Sequence, residues 1–148
     1  MNPGNSKMGK VWVDLEVSNE FDEVNASEGR LSLDKVRKVQ VKALVDTGAT
    51  MLMLPSELIQ KLGLRVKRKV KSRLADGKLH DRLVYGTATL RVQRRDVTVE
   101  IVEGQPGVPA LLGQIPLEGL DLLVDSKNQR LIPNPESPDP EMALIDMF

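Results

Sequence analysis

The sequence predicts an all-β fold, a closed barrel with one short helix and one lobe per chain. Three observations predict it. Residues 10–17, KVWVDLEV, alternate strictly, with Val11, Val13, Leu15 and Val17 on one side, as a half-buried strand does. Short apolar stretches recur along the chain, each bounded by Gly, Pro, Asn or Asp. One segment, SELIQKLGL (56–64), carries both start and stop signals of a helix, with Pro55 and Ser56 before it and Gly63 at its end.

The remaining elements follow in order. Residues 18–30 are polar and acidic and read as a loop. Residues 36–45 and 51–55 read as strands. Residues 65–74, RVKRKVKSRL, are too poor in apolar residues for a buried helix and read as a solvated strand or loop. ADGK (75–78) signals a tight turn. Residues 79–93 read as one long strand or two, with Gly86 at a bulge or bend. Residues 97–102 alternate, 103–109 form a loop, and ALLG (110–113) is a short buried strand. QIPLEGL has room for one helical turn. Residues 121–132 read as a hairpin turning at DSKN. The domain is expected over 10–133, after a flexible stretch at 1–9. A Pro-rich tail at 134–148 is expected to be disordered.

Composition limits the chemistry. The 148 residues carry 21 Lys plus Arg against 21 Asp plus Glu, so no overall charge calls for nucleic acid. There is no cysteine, which removes thiolate nucleophiles and zinc thiolates. His80 is the one histidine, so a His-based metal site or triad has no basis, and no metal or cofactor is expected. No apolar run approaches the roughly 18 residues of a membrane span. No secretion signal is seen, and the expected location is the cytoplasm. The basic run at 65–73 lacks interleaved aromatic residues and reads as a solvated face rather than a nucleic-acid site.

The chemistry concentrates at residues 43–50, ALVDTGAT. Three apolar residues make a buried strand that delivers Asp46 to its end. Thr47 adds a hydroxyl beside it, and Gly48 lets the backbone turn sharply and be approached closely. Placing a carboxylate there is costly unless it is hydrogen-bonded or shares a proton.

This stretch resembles the catalytic motif of retroviral-type aspartic proteases, and the chain is similar to their short prokaryotic members over roughly residues 10–135. Such proteases carry a second mark downstream, two apolar residues and a glycine beneath the active-site loop; here it is Leu111, Leu112 and Gly113. Between the marks they place a hairpin flap over the substrate, here RLADGKLHDRLVYG, with Ala75, Asp76 and Gly77 at its tip. The resemblance implies an acid-protease-like barrel in which Asp46, Thr47 and Gly48 are catalytic. It places Ala49, the flap tip and the Leu111–Gly113 segment around a peptide or protein substrate. It implies two aspartates sharing one proton, one activating water and the other bonding the peptide carbonyl. This chain supplies one such aspartate, because LLVDS (122–126) lacks the glycine. A homodimer is therefore expected, with KVWVDLEV and QRLIP as interface strands. Retroviral members often pair an Asp after the motif with an Arg after the downstream glycine. Here those positions hold Thr50 and Gln114, so both halves of the pair are missing together. The alternative is a non-catalytic peptide-binding or dimerisation module on the same barrel.

Overall fold

The computed structural model describes residues 10–147, and the stretch expected to be flexible at 1–9 lies outside them. Nine strands among the described residues form two sheets. β1 (Trp12–Asn19), β2 (Lys38–Val45), β3 (Leu52–Leu54), β4 (Arg65–Arg73), β5 (Leu79–Val92), β6 (Arg95–Glu103) and β7 (Leu111–Leu112) belong to the first. β8 (Leu122–Asp125) and β9 (Arg130–Pro133) form a separate hairpin. The larger sheet runs β1-β2-β7-β3-β6-β5-β4, and β1 also pairs with β5, so the order closes on itself.

The core is one continuous row of side chains on the inner face. Residues opposite each other on paired strands point the same way. Val45, Leu112, Leu52 and Ile101 are successive partners across β2, β7, β3 and β6, and all four are buried. Leu15, Val17, Leu90 and Leu54 join them with almost no exposure. Each such side chain contributes about 1.5–3 kcal/mol by leaving water.

Three α-helices are present among the described residues, against the single one expected. α2 (Ser56–Leu62) is the foreseen helix. It ends at Gly63, whose φ of 62° is left-handed and suits a residue without a side chain. α3 (Gln114–Leu120) is a two-turn helix rather than a single turn, and it buries Pro116, Leu117 and Leu120. No helix among the described residues is long and apolar enough to cross a membrane.

α1 (Glu20–Ser27) replaces the loop expected at 18–30. Its apolar residues Phe21 and Val24 face out, so no apolar stripe announces it. The Asn19 side chain instead accepts from the Asp22 amide at 3.1 Å, and Glu20, Asp22 and Glu23 favour the helix N-terminus electrostatically. Its tertiary ties are polar. Asn19 Nδ2 donates to Leu62 O at 2.8 Å, Thr87 donates to Glu20, and Arg91 donates to Glu23.

The strongest tie is Asp22 with Arg37. The buried carboxylate accepts from the Arg37 amide at 3.0 Å, from Nε at 2.8 Å and from Nη2 at 3.0 Å. These donors hold the Asp22 carboxyl below its ordinary value of 3.8, against the opposing effect of burial. A depressed folded value means the stabilisation is complete above the unfolded value and fades as pH falls through the folded one. Asp22→Asn is expected to cost about 2 kcal/mol at neutral pH and to flatten the acid limb of the stability curve. Urea titrations from neutral pH down to pH 3 measure both; an unchanged acid limb would show that the pair contributes nothing.

Beyond β9 the described residues form no strand or helix but are tied back to the domain. Asn134 donates to one Asp121 oxygen, and the Leu144 amide to the other at 2.8 Å. The buried Arg95 donates to Pro140 O at 2.7 Å and to the carbonyls of Leu120 and Asp121.

Candidate active site

β2 carries ALV to the base of a loop and releases Asp46 at its tip. The Asp46 amide donates to Leu112 O at 2.9 Å, which continues the parallel β2–β7 pairing by one residue. The chain then folds back through a turn closed by Ala49 N to Asp46 O at 3.0 Å and enters β3. Gly48 N donates to Asp46 Oδ1 at 3.0 Å, which aims the carboxylate over the turn. Asp46 is half-buried, while Thr47 and Gly48 are exposed. The Thr47 hydroxyl makes no hydrogen bond among the described residues.

Gly48 lies in the turn closed by Ala49 N and Asp46 O, as expected, without entering the left-handed region. What matters is its missing side chain, since a Cβ there would stand 3.2 Å from Asp46 Oδ1.

The downstream mark packs beneath this loop. β7 lies between β2 and β3, parallel to the first and antiparallel to the second, so it holds both stems of the Asp46 loop. Gly113 follows it at a very close approach. A Cβ there would fall 2.4 Å from Met51 O and 2.8 Å from Ala49 O. The next two amides close the seam, Gln114 N to Ala49 O at 2.8 Å and Ile115 N to Thr50 O at 3.0 Å. Thr50 and Gln114 thus both take part in this backbone seam, each with a different partner, and the Gln114 side chain turns to Glu118 in its own helix at 3.0 Å. Leu112 is sealed in the core and Gly113 is buried, so both act on the loop from below. Leu111 is half-buried on the opposite face.

That opposite face bears the carboxylate. Leu44, Leu111, Met53, Val102 and Val84 are successive cross-strand partners. Side chains alternate along a strand, so Asp46, two residues after Leu44, stands on this face.

Ala75, Asp76 and Gly77 form the tip of the β4–β5 hairpin. Gly77, with φ of 81°, donates to Leu74 O at 2.9 Å, and Lys78 N donates to Asp76 Oδ1 at 2.9 Å. All three are exposed, and no hydrogen bond joins them to the Asp46 loop among the described residues. The structure therefore assembles Asp46–Ala49 with Leu111–Gly113 and leaves the hairpin tip apart. β5 shifts register between Tyr85 and Ala88, at the position of Gly86. Among the described residues no cluster of three His, Asp or Glu could hold a metal ion.

A family model described as Aspartyl protease matches residues 33–114, over half of the chain. The chain belongs to the aspartyl protease family. The match spans both marks of the site, Asp46 and Gly113. No curated protein matches this aspartyl protease family member. Among solved structures it is similar to the protease of Simian Foamy Virus (mac), determined in solution. That similarity has 21% identity and a TM-score of 0.45, over 72% of this chain and 90% of that one.

Around the site, a groove of about 330 Å³ runs from Thr47 past Gln114 and Leu117 to Leu122 and Leu123. Leu123 is exposed on β8, which among the described residues pairs only with β9. Of the two strands expected at an interface, β1 pairs with β2 along its length and with β5 over Glu16–Asn19. No further strand pairs with either outer edge of the β8–β9 hairpin among the described residues, and Gln93 Nε2 donates to Leu131 O on β9 at 3.0 Å.

Proposed function

We propose that this protein is an aspartic endopeptidase that works as a homodimer in the cytoplasm, with one Asp46 from each copy. The observation that carries this reading is the placement of Asp46. It is half-buried, takes one hydrogen bond from Gly48, and stands on an apolar face braced from below by β7 and Gly113. One such carboxylate cannot serve as acid and base together. Two in contact share a proton, so one deprotonates water while the other bonds the carbonyl oxygen of the peptide. The exposed Thr47 and the neighbouring groove leave room for a second copy. The outer edges of β8 and β9, without a further strand among the described residues, are where its backbone can add. The resulting barrel pair would bind an extended peptide between the flaps and the two Asp46 loops.

The test is cleavage of peptides at mildly acidic pH over a dilution series. Specific activity is expected to fall on dilution, in step with the dimer fraction seen by sedimentation. Constant specific activity down to concentrations where only monomer sediments would overturn the shared site. No cleavage by a sedimenting dimer would favour a peptide-binding module on the same fold.

A further inference from the structure

The face that bears Asp46 does not end at the sheet. From Val84 it continues along the β4–β5 hairpin, whose outer part, residues 79–83 on β5, pairs with β4 alone. Alternation puts Arg82 and His80 on the side of Val84. Their partners Val70 and Ser72, with Arg68 opposite Val84, complete that side. The hairpin side continuous with the catalytic face is therefore Arg68, Val70, Ser72, His80, Arg82 and Val84, with no acidic residue among them.

The hairpin's charges are disposed unequally. On the other side Lys71 meets Asp81 at 2.5 Å. On the catalytic side Arg68 is matched by Glu100 at 2.6 Å. The half-buried Arg82 has neither an ion pair nor a side-chain hydrogen bond among the described residues. Ser72 Oγ, on the same side, is buried with no partner. A partly desolvated guanidinium without a counter-charge is unfavourable by itself and suited to a carboxylate, which it binds through two parallel hydrogen bonds.

We infer that Arg82 selects peptides bearing an Asp or Glu side chain a few residues away from the bond to be cut. The inference rests on the endopeptidase reading and specifies its substrate class. An extended peptide along this face meets the half-buried Leu111 and Met53, backed by the buried Val102 and Val84, before it reaches the cation at Arg82. Apolar residues at the scissile bond and a carboxylate further along fit that order. A nucleic acid fits less well, because this side of the hairpin offers only the His80 imidazole and no Phe, Tyr or Trp on which successive bases could stack.

The experiment is digestion of a mixed peptide library, with cut sites read by mass spectrometry. Wild type is expected to enrich Asp and Glu at one position near the cut by roughly tenfold. Arg82→Gln is expected to lose that enrichment, and Arg82→Glu to replace it with Lys and Arg. A reversed preference cannot arise from misfolding. Absence of the acidic position in wild type, or its survival in Arg82→Glu, overturns the inference and leaves the endopeptidase reading standing. If wild type cuts nothing, that reading fails, and binding by Asp46→Asn decides the Arg82 inference. Fluorescence anisotropy with labelled Glu and Gln versions of one peptide should then show tighter Glu binding that Arg82→Gln abolishes. Equal binding of the two, or displacement of the Glu peptide by an equal concentration of single-stranded oligonucleotide, overturns it.

Discussion

Asp46→Asn is expected to lower peptide cleavage by a factor on the order of 10³–10⁴ while leaving stability within about 0.5 kcal/mol. The asparagine oxygen still accepts from Gly48 N, so the turn keeps its internal bond. The lost property is a carboxylate that can take up and give back a proton, without which water is not deprotonated. A mixing experiment extends the prediction. Adding excess Asp46→Asn subunits to wild type should depress activity, because each mixed dimer holds one carboxylate. Activity unaffected by the inert subunit would mean that a single copy suffices, and the shared-site mechanism would be wrong.

Gly113→Ala is the second large effect. The added methyl would sit 2.4 Å from Met51 O, 2.8 Å from Ala49 O and 2.8 Å from Met51 N. All three are backbone atoms of the segment after Asp46, so no side-chain rotation relieves the overlap. Either the Asp46 loop lifts or β7 withdraws from between β2 and β3. The expected cost is about 3 kcal/mol, at the upper end for overpacking, with cleavage lost as well. Gly104→Ala is the control, since its methyl would meet Leu54 O at an ordinary 3.5 Å. Urea denaturation should separate the two variants clearly; equal midpoints would show that the seam under the loop tolerates a side chain.

Much of the architecture was legible because it rests on local patterns. Alternation located β1, β2 and β6, the Pro55 and Gly63 signals bounded α2, and ADGK marked the hairpin turn. α1 was not legible in this way. It has no apolar stripe, and its support is a capping asparagine together with Arg37, Thr87 and Arg91, residues distant in sequence. The Asn19 cap followed by acidic residues was the local signal available, and a search for apolar periodicity passes over it. Arg82 was hidden for a related reason. In the sequence it is one of many cations around a basic run, and only strand register shows which side of the hairpin it shares and with what.

The sequence by itself determined that one carboxylate would be driven from a buried strand into a turn, and that two apolar residues and a glycine would return beneath it. Residue type is enough for that, because apolar runs seek the core and a glycine stands where a Cβ will not fit. Tertiary structure alone decided the geometry of the support. β7 inserts between the two stems of the Asp46 loop, Gly113 meets Met51 and Ala49 backbone, and register carries the Asp46 face out to Arg82. Those relations join residues about 30 to 70 positions apart, and chain closure over such lengths is set by the packing of the whole sheet rather than by neighbours in sequence.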